Sequence, residues 1–413
     1  MKRLRKIAAV FGGGLVVVLA GLTIWLSLGL HHEERGSFYT DRSLSESTEP
    51  GTLLRIEPLS HPRRGMIAYR ILYASLGMDE EPVAVSGLVV APANATASED
   101  TVAKGRPIIS WAHYTTGIDD PCAPSRSPAD IHGIDGVEAA LNDGYIVVAT
   151  DYIGLGTPGP HPYMVGPATG RSILDAIRAA RSVPEIAASN HNFLWGHSQG
   201  GHGVLFAAEI APAYAPELEI VGVAAASAPT DLTQIVRNNV GTFFGNVLAA
   251  YATKSWSEVY GLSLKEALVP AAIPVVGDVA ELCIPHVKDD FYTIFDAVEL
   301  EEGMFNKGVL NSEDWITLLD RNSVGKRPIV YPVYLAQGSA DAVVDPDLTL
   351  EFARELCREG GDLTFDLVAG AGHNETVHRS QANVIAWMNG LLDGTKPPAG
   401  CVGLPDPDAA ANG

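Results

Sequence analysis

Positive charge is scarce in this chain. Its 413 residues carry 28 Lys and Arg against 49 Asp and Glu, a formal charge of −21 with a pI near 4.9. A surface of that sign repels phosphate backbones and anionic headgroups, so nucleic acid and adsorption to anionic lipid surfaces are excluded, and a neutral substrate is suited. Cysteine is scarce too, at four residues. There is no internal repeat and no group of residues at metal-ligand spacing, so neither metal nor cofactor is expected. The stretch Gly154-Leu155-Gly156-Thr157-Pro158-Gly159 is too proline-rich to open a helix as a dinucleotide-binding turn must. Nothing calls for an obligate protein partner.

What is present is enough apolar material, 46% of residues, to bury a large core. Apolar, β-branched runs bounded by turn residues predict strands at 66–73, 83–91, 107–112, 145–150, 192–195, 220–225, 331–337 and 363–368. Between them, residues 170–184 place Ile173, Leu174, Ile177 and Ala180 at helical spacing. Strands alternating with helices predict an α/β fold with a mostly parallel, eight-stranded sheet covered on both faces. One stretch breaks the alternation. After Ser227-Ala228-Pro229-Thr230-Asp231 the chain runs to Tyr331 through short apolar helical segments interrupted by Gly and Pro. No bare core loop is that long, so residues 229–326 are expected to form an inserted helical cap, or lid, between core segments 53–228 and 327–401.

Gly196-His197-Ser198-Gln199-Gly200 is a G-x-S-x-G pattern between a short strand and a helix start, the setting that holds a serine on a sharp turn as an exposed nucleophile. Downstream, Asp341 follows the strand at 331–337, and His373 follows the strand at 363–368 and two glycines. The order Ser198, Asp341, His373 is that of α/β-hydrolases. Ser198 as a simple helix cap competes with this reading, but the two partners weigh against it. Asp345 and Asp347 compete with Asp341. Asp345 precedes Pro346 and a helical run, which marks it as an N-cap. His378 sits within the expected C-terminal helix, and His202, four residues after Ser198, reads as a packed or surface helix histidine. The oxyanion would take one backbone N–H from Gln199 and a second from the loop after the third strand, from Tyr114 or Thr115.

The N-terminus carries Lys2, Arg3, Arg5 and Lys6 before an uncharged run over residues 7–30. That run is long enough to span a bilayer, and no small-residue cleavage site follows it. A transmembrane anchor over 1–30 is expected, with the catalytic part exported, or secreted if the segment is cleaved. Residues 31–52 read as a tether and 402–413 as a flexible tail. Cys122, Cys283, Cys357 and Cys401 fit an oxidising compartment and allow three pairings. Asn94-Ala95-Thr96 has the glycosylation pattern.

The segments Trp111-Ala112-His113-Tyr114-Thr115-Thr116-Gly117, Cys122-Ala123-Pro124-Ser125, Asp151-Tyr152-Ile153-Gly154-Leu155-Gly156 and Gly196-His197-Ser198-Gln199-Gly200-Gly201 resemble the secretory lipase family from about residue 50 to 401. The resemblance implies an α/β-hydrolase with Ser198, Asp341 and His373 as its triad, and the pairings Cys122–Cys283 and Cys357–Cys401. Bacterial members commonly read His-Gly-Thr-Thr-Gly where this chain has His113-Tyr114-Thr115, so the Tyr114 ring is expected beside the acyl entrance. The function that follows is a serine carboxylic-ester hydrolase acting on a small-molecule or lipid ester. The alternatives are hydrolysis of an amide or lactone on the same triad, or a non-catalytic, membrane-tethered binding protein.

Overall fold

The computed structural model describes residues 38–40 and 44–405, apart from 61, 63–64, 94–104, 128–132, 184, 285–302 and 396–399. The expected anchor over residues 1–30, Asn94 and most of the tail therefore lie outside the described residues. Among the described residues, no helix is long and apolar enough to cross a membrane. Residues 44–413 form one compact unit, and 1–43 are assigned to another.

The larger unit is built on a single ten-stranded sheet in the order β1-β2-β3-β5-β4-β6-β7-β8-β9-β10. The strands are β1 Leu53–Pro58, β2 Met66–Leu76, β3 Pro82–Pro92, β4 Arg106–Ala112, β5 Ile146–Thr150, β6 Ala188–His197, β7 Glu219–Ala226, β8 Val333–Gly338, β9 Leu363–Val368 and β10 Cys401–Val402. The eight expected strands are all present and occupy the centre, so the count of eight is corrected to ten by the two edges. β1 pairs antiparallel to β2, and two-residue β10 pairs parallel to β9. The expected tether and tail shrink accordingly. Gly51 N–H already donates to Ala74 O at 2.7 Å, and Ala74 N–H to Thr52 O at 2.9 Å.

From β5 across to β10 every pair is parallel. β5 and β8 are buried along their whole length, as sheets covered on both faces require, which is why they read as unbroken apolar runs. One face is covered by α2 Gly166–Arg181, α3 Gln199–Tyr214 and α9 Pro346–Arg358, the other by α1 Val137–Asn142 and α10 His373–Leu392. On the α1/α10 face, Trp111 of β4 and Trp195 of β6 meet edge to face at 5.1 Å.

Between β7 and β8, the described residues form α4 Leu232–Asn239, α5 Phe243–Val259, α6 Leu264–Ala267, α7 Ala272–Ala280 and α8 Glu313–Arg321. α4 is capped by Asp231, which accepts from Gln234 N–H, and α5 by Thr242, which accepts from Gly245 N–H. These caps satisfy donors that a helix start leaves open. Trp256 of α5 stacks on Trp315 of α8 at 5.6 Å. The layer is continuous with the sheet's core.

Cys122, after β4, is bonded to Cys283, just past α7, and Cys357 of α9 to Cys401 of β10. Beside the first bridge, Ile284 N–H donates to Thr116 O at 2.9 Å.

β10 is too short to hold its edge by pairing alone, so its position depends on the second bridge. Replacing Cys357 and Cys401 together by alanine should lower stability by about 2–4 kcal/mol, the usual worth of a bridge closing a loop of this length. Urea unfolding under non-reducing conditions measures it. A change below ~0.5 kcal/mol would mean β10 is held by other contacts.

Candidate active site

The connections place β4 and β6 side by side while their neighbours in sequence leave in opposite directions, which opens a crevice at the carboxyl ends of these strands. Register pairs Ala112 of β4 with Gly196 of β6. The loops beginning at His113 and at His197 are therefore neighbours.

Ser198 follows β6 directly with φ 55° and ψ −118°, a backbone state costing roughly 1–3 kcal/mol that surrounding contacts must enforce. Its N–H still bonds Ala226 O of β7 at 2.9 Å, while its carbonyl accepts from His202 N–H at 3.0 Å and so starts α3. The flanking glycines are steric requirements. A Cβ on Gly196 would stand 2.3 Å from Gly200 O, and one on Gly200 would stand 1.8 Å from Ala112 O.

Asp341 lies just past β8. Its Oδ1 accepts the N–H groups of Val343 at 2.9 Å and Val344 at 3.0 Å, and Gln337 Nε2 reaches Oδ2 at 3.3 Å. Burial pushes its carboxyl up, but the His373 ring and the two backbone N–H groups outweigh burial and hold it below the ordinary carboxylate range. His373 opens α10. Its Nδ1 is 2.9 Å from Asp341 Oδ2 and its Nε2 is 2.8 Å from Ser198 Oγ. A carboxylate facing Nδ1 assigns the proton to that nitrogen and leaves Nε2 to accept from the serine.

The competing residues lie elsewhere. Asp345 caps α9 by accepting from Asp347 N–H at 3.0 Å, and Asp347 is exposed. His378 pairs with Asp135 at 2.6 Å. His202 is fully buried, with Nε2 2.7 Å from Asn322 O.

Three side chains that no sequence pattern marked support the site. His197, the variable residue of the motif, is buried and places Nε2 3.2 Å from His373 O. Burial, with His373 alongside, drops its pKa to about 3, so a neutral ring donates this bond. His161 is held at about 4 by burial. Its Nδ1–H meets Ile153 O at 2.8 Å, which leaves Nε2 to accept from the Gln199 amide at 3.3 Å. Tyr163 OH lies 2.8 Å from Thr115 Oγ1. The loop carrying both residues is tied to α5. Ser255 Oγ donates to His161 O at 2.6 Å and accepts from Tyr163 N–H at 2.9 Å, and Trp256 Nε1 donates to Tyr163 O at 2.9 Å.

A cavity of about 80 Å³ reaches Ser198, Gln199 and Thr115 and is otherwise walled mainly by apolar groups, among them Leu232, Val236 and Leu248. The expectation for Tyr114 is corrected here. Its ring meets His197 at 5.9 Å, and the residue borders a different cavity with Trp111 and Asp151. Cross-strand adjacency at the ends of β4 and β6 turns that ring toward His197, and it is Thr115 that faces the serine's cavity.

This sheet order, with a serine on the turn after β6 bonded to a histidine that is bonded to an aspartate, defines an α/β-hydrolase. The secretory lipase family model matches residues 134–400, well over half of the chain. The chain belongs to that family and is an exported ester hydrolase. It is 25% identical to lipase A of Arthroderma benhamiae over 88% of this chain and 80% of that one. It is 26% identical to a secreted triacylglycerol lipase of Malassezia globosa over 87% and 79%. Its fold is similar to that of Candida antarctica lipase A in its closed state, with TM-score 0.72 and 20% identity over 88% of this chain and 87% of that one. It is similar too to the rice cell wall degrading esterase LipA of Xanthomonas oryzae, with TM-score 0.69 and 22% identity over 84% and 100%.

Buried neutral histidines make stability depend on pH. His202 is held at about 4 by burial, against an ordinary 6.5. Below 6.5 the unfolded chain takes up a proton that the folded chain refuses, so stability falls as pH drops from about 6.5 toward 4 and is unaffected by this group above 7. His202→Asn should therefore flatten the fall by about 1.4 kcal/mol per pH unit in that window. Chemical denaturation at pH 7, 6 and 5 tests this, and parallel curves for the two proteins would refute it.

Proposed function

We propose that the chain hydrolyses carboxylic esters with apolar acyl groups through an acyl-enzyme on Ser198. The observation that carries this reading is the single imidazole of His373 bridging Ser198 Oγ at 2.8 Å and Asp341 Oδ2 at 2.9 Å beside an apolar cavity. Ser198 Oγ attacks the ester carbonyl carbon and its proton passes to His373 Nε2. The oxyanion takes hydrogen bonds from the N–H groups of Gln199 and Thr115. His373 then gives the proton to the departing alkoxide as the ester C–O bond breaks. Water attacks the acyl carbonyl, His373 takes its proton, and collapse returns that proton to Ser198 with release of the acid. Asp341 keeps the ring oriented and its Nδ1 protonated.

The finer substrate reading is triacylglycerol lipase, as the name of the Malassezia relative has it. Residues 229–326 would be the cap, since Leu232, Val236 and Leu248 wall the cavity that Ser198 borders. Residues 7–30 would anchor the exported enzyme in a membrane, on the strength of their uncharged length behind Lys2, Arg3, Arg5 and Lys6.

Three experiments test this reading. Ser198→Ala and His373→Ala should each lower kcat by roughly 10⁶ and Asp341→Asn by roughly 10⁴, with unfolding curves unchanged. Asp345→Asn should cost stability only, and greater damage to kcat there than at Asp341 would overturn the acid assignment. A fluorophosphonate should add its mass to Ser198 of the folded protein. For the anchor, the full chain should stay with membranes in alkaline carbonate and leave them only in detergent. Recovery in the carbonate supernatant would show that it is not integral.

A further inference from the structure

Thr115 Oγ1 and Tyr163 OH stand 2.8 Å apart on the wall of the cavity that Ser198 also borders. The pair owns two hydroxyl protons, and its one hydrogen bond uses one of them; among the described residues neither oxygen has a further partner. Both residues are buried, and both border the cavity that Ser198 and Gln199 share. One O–H is thus left undirected in a largely apolar enclosure, an arrangement that costs free energy unless an acceptor enters.

The chemistry decides which oxygen keeps the spare proton. A phenol is the stronger donor and an aliphatic alcohol the better acceptor, so Tyr163 donates to Thr115 and the Thr115 proton remains. Tyr163 is also the more rigidly held partner. Its N–H is bonded to Ser255 Oγ at 2.9 Å and its carbonyl to Trp256 Nε1 at 2.9 Å, so its hydroxyl is presented from a fixed backbone. Thr115 in turn is the third residue of the loop that leaves β4 at Ala112, which is paired with Gly196 just before the nucleophile turn. The acceptor that an ester brings into this corner is its carbonyl oxygen, which becomes an anion when Ser198 attacks.

We propose that the Thr115 hydroxyl is a third oxyanion donor, beside the backbone N–H groups of Gln199 and Thr115, and that Tyr163 is the residue that positions it. The inference rests on Ser198 being the nucleophile. No proton is transferred: the Thr115 O–H hydrogen-bonds the oxyanion, and the Tyr163 O–H, bonded to Thr115 Oγ1, polarises it further. Because the bond strengthens as charge develops, its loss falls on kcat and not on KM. Since Tyr163 is tied to Ser255 and Trp256 of α5, this donor is correctly aimed only while α5 sits against the loop.

The test measures kcat and KM on a soluble p-nitrophenyl ester, and the affinity of an alkylboronic acid that forms a tetrahedral adduct on serine. Wild type, Thr115→Val, Thr115→Ser and Tyr163→Phe are compared, after fluorophosphonate labelling of wild type has placed the adduct on Ser198. No label on Ser198 refutes the nucleophile assignment itself, a failure separate from anything Thr115 shows. Thr115→Val should lower kcat by roughly 100- to 1,000-fold with KM within about threefold. Boronate affinity should fall in parallel. Thr115→Ser should recover kcat to within about tenfold of wild type, and Tyr163→Phe should lose about tenfold. The proposal is overturned if Thr115→Val keeps kcat within about threefold, if serine rescues nothing, or if boronate affinity is unmoved while kcat falls. Should Thr115→Val fail to fold, Tyr163→Phe decides: parallel loss of kcat and boronate affinity supports the role, and unchanged values refute it.

Discussion

The close crossing of α3 over the end of β4 is the constraint on which the site depends. Gly200 lies so near Ala112 O that no side chain larger than hydrogen fits between them. That approach sets Ser198 in its unfavourable backbone state and brings Gln199 up to the loop that starts at His113. The strain at Ser198 is offset by ordinary bonds on either side, to Ala226 before the turn and from His202 after it.

Around this crossing the protein has buried several imidazoles that carry no charge. His161, His197 and His202 are all buried, and burial keeps them neutral at physiological pH. A neutral imidazole can fix a tautomer and hand a hydrogen bond across a tight space, as His197 does to the carbonyl of His373. It adds no charge that would compete with His373 for Asp341. Asp151 is likewise surrounded by donors, Ser86 Oγ at 2.6 Å and Ser125 N–H at 2.9 Å. These bonds hold the start of the next strand's loop against the sheet.

Much of this was legible in the sequence. The eight central strands announced themselves because parallel strands buried on both faces are apolar runs, and the triad because each member follows such a run. The edges did not. β10 has two residues, too few for any period, and β1 is half exposed with Glu57 and Pro58 at its end. Asp341 could be preferred over Asp345 because an aspartate before proline at a helix start has a local task already. His161 and Tyr163 were invisible for the opposite reason. Their partners, Gln199 and Thr115, lie 38 and 48 residues away, and no local pattern records such a meeting. The Tyr114 expectation failed because direction along a loop depends on the neighbouring strand's turn and not on the loop's own residues.

The two disulfides also divide the chain topologically. The Cys122–Cys283 bridge closes a covalent ring that contains Ser198, and the Cys357–Cys401 bridge closes a second ring that contains His373. Asp341 lies on the single-stranded connection between the rings. A protease that cuts once inside either ring opens a gap but releases nothing, since the fragments stay joined through sulfur. Between Ser198 and His373, only a cut at residues 284–356 parts nucleophile from base. An exported enzyme working among foreign proteases thus concentrates its covalent vulnerability in one segment, and that segment contains α8 and the acid's own turn.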